Sequence, residues 1–184
     1  PALFRSEAEA LVGPVGFIHP RVVVTNSTDE TALNRLSRSA LVDEVLCNAE
    51  HSEVAEPEKI IQRIVNWAKE NLPEGSFAVR VKIIGSTLEG ISRSAIAKDV
   101  GAEIFGKSHP VDLENPENEI VVFLAGQEDP PNHPDPLYLS PPMIIWGLKQ
   151  KNWQRPGWGG RSPTDRPYFQ PVSLEPRLAR LMIS

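Results

Sequence analysis

In the stretch FAVRVKIIG at 77–85, Phe77, Val79, Val81 and Ile83 alternate with Ala78, Arg80, Lys82 and Ile84. A period of two predicts a half-buried strand, apolar on one face and carrying two cations on the other. Ile120 to Ala125 is apolar at every position, which predicts a strand covered on both faces and central in its sheet. PMIIWGL at 142–148 and PRVVVTN at 20–26 predict two further strands. Stripes at helical spacing predict three helices. One runs through Leu33, Leu36, Ala40, Leu41 and Val45, with Asp29 or Thr31 as its cap. A second begins near Pro57, buries Ile60, Ile61, Ile64, Val65 and Ala68, and ends at Asn71 and Pro73. A third covers 91–105 with Ile96, Val100 and Ile104 on one side, stopped by Gly106.

The connecting stretches lack either period. NAEHSEVAEPE at 48–58 reads as an acidic linker, and residues 110–119 as an acidic turn around Pro116. From 126 onward prolines dominate, beginning with GQEDPPNHPDP, and SLEPRLARLMIS starts a helix that stops after little more than two turns. That short end, and a start at proline, point to a fragment of a longer chain. The resulting class is α/β (α+β) in two small lobes.

Composition narrows the function classes. Hydrophobic residues make up 40% of the 184, enough for a core. No apolar run approaches the roughly 18 residues needed to cross a bilayer. The first thirteen residues have neither a basic leader nor a continuous apolar stretch, so no signal peptide and no membrane partner are expected. The single cysteine, Cys47, excludes an internal disulfide and suits a reducing, cytoplasmic setting.

The net charge of -5 argues against nucleic acid, but its distribution is uneven. Residues 1–76 hold seven basic and twelve acidic side chains, whereas 77–109 hold five basic and three acidic. Residues 110–130 hold six acids and no base, and 131–184 seven bases and three acids. Charges act within a Debye length of about 10 Å, so local basic segments matter despite the total.

Three stretches together resemble a THUMP domain, an RNA-binding module of tRNA-modifying enzymes. They are FAVRVKIIG, the small and basic helix after it, and VDLENPENEIVVFLAG. Within the last, Val111, Asp112, Leu113 and Pro116 form the V-D-L-x-x-P turn. PRVVVTN and LNRLSRSALVDEVL look like the ferredoxin-like segment that precedes this module. DRPYFQPVSLEPRLARLMIS is similar to the stretch that leads into the catalytic half of archaeal tRNA guanosine-10 N2-methyltransferases. The resemblance implies an incomplete ferredoxin-like lobe at 1–54 and a THUMP domain at 55–126. A Pro- and aromatic-rich strap at 127–184 would then lead toward an absent methyltransferase domain. It implies tRNA, gripped by its acceptor end, as partner, with S-adenosylmethionine bound only in the missing domain. On this reading the chain itself has no catalytic residue and no cofactor. A stand-alone RNA-binding adaptor and a protein-interaction module without RNA contact are the alternative readings.

The RNA-binding candidates are Arg80 and Lys82 on the strand, Arg93 and Lys98 on the following helix, and Lys107 after it. Long cations on a sheet face neutralise phosphates, and Arg93 stands in a first helical turn, where backbone N–H groups favour anions. A convergence of these cations on one concave surface is expected. His109 reads as a capping residue and Cys47 as a core filler. His19, His51 and His133 lack ligand spacing, so no metal is expected. EDPPNHP at 128–134 superficially resembles an Asp-Pro-Pro-Tyr methyltransferase motif, but Asn132 replaces the aromatic residue and the stretch reads as a proline-rich loop. Trp146, Trp153, Arg155, Trp158, Arg161, Arg166, Tyr168 and Phe169 form either a base-stacking surface or a buried strap.

Overall fold

The computed structural model describes residues 2–26, 30–127, 141–151 and 176–182. The chain divides into two compact units, one of Pro1–Val45 with Lys151–Ser184 and the other Leu46–Gln150. The EDPPNHP loop and the aromatic tail at 153–169 lie outside the described residues.

The first unit contains α1 (Ala2–Val12), the strands β1 (Gly16–His19) and β2 (Val22–Val24), α2 (Glu30–Leu36) and α5 (Pro176–Leu181). β1 and β2 pair antiparallel. Leu36 and Val42 form a small core with Phe4, Leu11, Val12 and Val45. α2 is shorter than its apolar stripe predicts, ending at Leu36 rather than near Val45. The cause lies outside the helix. The carboxylate of Glu7, only 5% exposed, accepts from Ala40 N at 2.6 Å and Leu41 N at 3.1 Å. Ser39 Oγ donates to Glu7 at 2.6 Å and accepts from Val42 N at 2.9 Å. Backbone donors captured by side chains cannot continue a helical ladder. Arg177 on α5 donates to the carbonyl of Ala40 and pairs with Asp43 at 2.6 Å.

The second unit is a four-stranded sheet with two helices on one face. Its elements are β3 (Leu46–Glu53), α3 (Pro57–Asn71), β4 (Phe77–Ile84), α4 (Arg93–Ile104), β5 (Asn118–Ala125) and β6 (Met143–Lys149). The strand order is β3-β6-β5-β4. β4 and β5 run parallel, joined through α4, and the other neighbours are antiparallel. The core holds Ile60, Ile64 and Trp67 of α3, Ile96 and Val100 of α4, and Phe77, Val79, Ile120, Val122, Leu124, Ile144 and Trp146 of the sheet. Burying each such side chain contributes about 1.5–3 kcal/mol.

β3 occupies the stretch that reads as an acidic linker. Its residues are mostly exposed or half-buried, so no apolar alternation marks it, and pairing with β6 rather than burial makes it a strand. A bulge between Cys47 and Glu50 interrupts that pairing. Asn48 there has φ 50, and its carbonyl accepts from Trp67 Nε1 at 2.7 Å.

Candidate nucleic-acid interface

β4 is one edge of the sheet. Phe77 and Val79, with Val81 and Ile83, face the helices, so Arg80 and Lys82 stand on the opposite face. The registers place Arg80 beside Val121 and then Gly147, and Lys82 beside Phe123, Ile145 and His51. Val121, Ala125, Met143 and Ile145 in the middle of that face are buried. The accessible part is the β4 margin, where Lys82 is exposed and Arg80 half-buried. Arg80 Nη2 donates to the carbonyl of Leu113. A guanidinium carries five N–H donors, so this bond orients the side chain and leaves donors for an anion.

The five predicted cations do not converge on one surface. α4 packs its Ile96 and Val100 side against the sheet, and Arg93 and Lys98 are exposed on that helix, in the layer opposite Arg80 and Lys82. The correction has a simple origin: the βα crossover puts a strand's polar face and its helix on opposite sides of the sheet. Arg93 follows Ser92, whose hydroxyl caps α4 by accepting from Ala95 N. Lys107 is exposed in the loop after α4.

Two parallel strand ends hold the α4 entry loop. Gly126 N donates to Ile84 O at 2.9 Å and Ser86 N to Gln127 O at 3.1 Å. A Cβ on Gly126 would stand 2.0 Å from Ser86 O, so only glycine allows this approach. Below β4, Phe77 N donates to Pro110 O and Asp112 N to Phe77 O, so residues 110–112 line the start of the edge. Asp112 Oδ1 accepts from Glu114 N and Asn115 N. These N–H donors, Asn115's first, hold the Asp112 carboxyl below the usual carboxylate range.

The remaining predicted residues take structural places. Trp146, read as either base-stacking or buried, is buried: it is 2% exposed on the helix side of β6, and its Nε1 has no hydrogen-bond partner among the described residues. Cys47 is half-buried near Gln150 Oε1 at 3.4 Å, and burial pushes its thiol up, away from nucleophile chemistry. His109 stacks edge-on against Phe77 at 6.5 Å. Among the described residues no group of His, Cys, Asp and Glu gathers as a metal site. Also among these residues, no helix is long and apolar enough to cross a membrane.

No curated protein matches the sequence significantly. Two solved structures share the fold at low identity. PH1313 from Pyrococcus horikoshii Ot3 aligns at TM-score 0.53 and 22% identity, over 82% of this chain and 49% of that one. TrmN from Thermus thermophilus aligns at TM-score 0.60 and 19% identity, over 99% of this chain and 50% of that one. The chain therefore spans about half the length of each. Residues 54–128 match the THUMP domain family. The sheet edge that carries Arg80 and Lys82 thus belongs to a THUMP domain.

Proposed function

We propose that this chain is the tRNA-recognising half of a tRNA-modifying enzyme, gripping tRNA by its acceptor end so that a distant nucleotide reaches the chemistry. The observation that carries the reading is the basic β4 margin inside the THUMP match. Arg80 is oriented by Leu113, and Lys82 is exposed on the same face. An oriented guanidinium binds phosphate bidentately and the ammonium acts as a point charge. The strongly acidic 1–76 segment repels RNA elsewhere, so local attraction operates against a negative total of -5.

The finer reading is a guanine-N2 methyltransferase dependent on S-adenosylmethionine. It is supported by the likeness of residues 165–184 to the linker of that enzyme class. The methyl donor would bind outside these 184 residues, and the residues here would supply binding and placement only.

Two measurements test the proposal. The 184-residue chain is expected to bind tRNA at low salt and to lose affinity when the unpaired acceptor nucleotides are trimmed. A folded chain that binds no tRNA at low salt contradicts it. The full-length protein is expected to transfer labelled methyl from S-adenosylmethionine to guanine in tRNA, and transfer to no guanine contradicts the finer reading.

A further inference from the structure

Among the described residues, three of the six large hydrophobic side chains that are exposed lie close together in the chain. Phe105 is 65% exposed, Val111 45% and Leu113 62%, all within nine residues that follow α4. This loop is built on backbone bonds. Phe105 N closes α4 by donating to Gly101 O at 3.0 Å. Gly106 and His109 exchange N–H···O bonds of 3.2 Å in both directions, so Phe105 and Pro110 flank a tight turn with Lys107 and Ser108 at its tip. Gly75 N holds the tip through Ser108 O at 3.0 Å. At the other end Arg80 reaches from β4 to the carbonyl of Leu113.

An aromatic ring exposed on a rigid turn next to a lysine is a stacking platform with a phosphate contact beside it. The acids of the loop are partly engaged, Asp112 with Glu114 N and Asn115 N, and Glu117 with Ser76 N at 2.9 Å. Glu114 stays exposed on the turn and opposes an anionic ligand, so stacking rather than charge would carry the affinity.

We infer that Phe105, with Lys107 beside it, seats an unpaired nucleotide of a single-stranded RNA end. The inference rests on the tRNA-binding reading above and adds to it a base-stacking residue outside the basic strand. Stacking is tolerant of base identity because every base has a π-face, so the subsite reads the absence of pairing rather than a sequence. A stiff loop avoids the entropy of ordering on binding.

The test compares an RNA duplex bearing a short single-stranded 3′ overhang with the same duplex blunt-ended, using the 184-residue chain at fixed low salt. Wild type is expected to prefer the overhang. Phe105→Ala is expected to weaken overhang binding about tenfold and leave blunt binding unchanged, while Phe105→Tyr keeps the preference. Phe105 is largely exposed, so thermal melting by circular dichroism should match wild type for both variants. Equal losses on both RNAs, or no loss with the fold intact, overturn the subsite while tRNA binding itself stands. A Phe105→Ala variant that changes only self-association, with RNA binding intact, overturns it in favour of protein docking. A wild-type chain that binds neither RNA removes the tRNA reading and the subsite with it.

Discussion

The two edges of the four-stranded sheet handle exposed backbone differently. β3 is acidic, with Glu50 and Glu53 and no Lys or Arg, and its bulge at Asn48 is pinned by Trp67. Bulges and charge are the usual means by which an edge refuses another strand. β4 is regular, with an unbroken register to β5 over eight residues, and its side chains are cationic. Its start is lined by residues 110–112 and its end is tied by Gly126 to the loop before α4. One edge is shaped to repel polyanions and extra strands, the other to present positive charge in a fixed geometry. The proposed RNA contact at β4 draws more support from this contrast than from net charge, because the two edges share one sheet and differ in what they carry.

Charge reversal gives the largest effect expected from this contrast. Arg80→Glu with Lys82→Glu should lower tRNA affinity on the order of 100-fold at about 0.1 M salt. Glu50→Lys with Glu53→Lys on β3 should leave it unchanged or slightly tighter. Filter binding of both double variants decides the matter, and a larger loss at β3 would invert the comparison. Next in size is Gly126→Ala, which drives a Cβ toward Ser86 O. It should destabilise the second unit by about 2 kcal/mol in urea denaturation, since that approach cannot relax without parting β4 from its loop. Trp67→Phe removes the donor to Asn48 O and should cost about 1 kcal/mol. Amide exchange should then quicken along β3 while β4 is unaffected; quickening on both edges would show that the bulge is not an independent device.

The smallest effect concerns Asp112. Its carboxyl is held below the ordinary range by the Asn115 and Glu114 amides. The turn's contribution is therefore present above the unfolded value of about 3.9 and is lost as pH falls through the lower folded value. Asp112→Asn should narrow its stability gap to wild type in acid and show the full gap at neutral pH. Asp112 is only half-buried, so solvent screening keeps the expected gap small at every pH, and one that widens in acid would contradict the sign.

What was legible in the sequence follows how locally each element is encoded. α3, α4, β4 and β5 carry complete apolar stripes, and each lies where its stripe predicts. α2 was overextended because its stop comes from Glu7, 33 residues before Ala40 in the chain, which no local pattern reveals. β3 was missed because an edge strand exposed on most of its length has no period of two to read. For Trp146 the buried alternative is the one that holds, and the apolar residues around it within MIIWGL were the available signal, because burial is not written in residue type. The cations themselves were legible, but not their split between two layers of the fold. Phe105 was passed over as the end of an apolar helix, and its exposure is set by the turn that follows it.

The central claim is that tRNA phosphates contact Arg80 and Lys82 directly. Salt titration of tRNA affinity for wild type and for an Arg80→Gln, Lys82→Gln variant measures it, because each phosphate contact contributes about 0.7–0.9 to the slope of log affinity against log salt. The account predicts a steep wild-type slope and a variant slope shallower by about 1.5. Parallel slopes for the two proteins, with both folded, would contradict it.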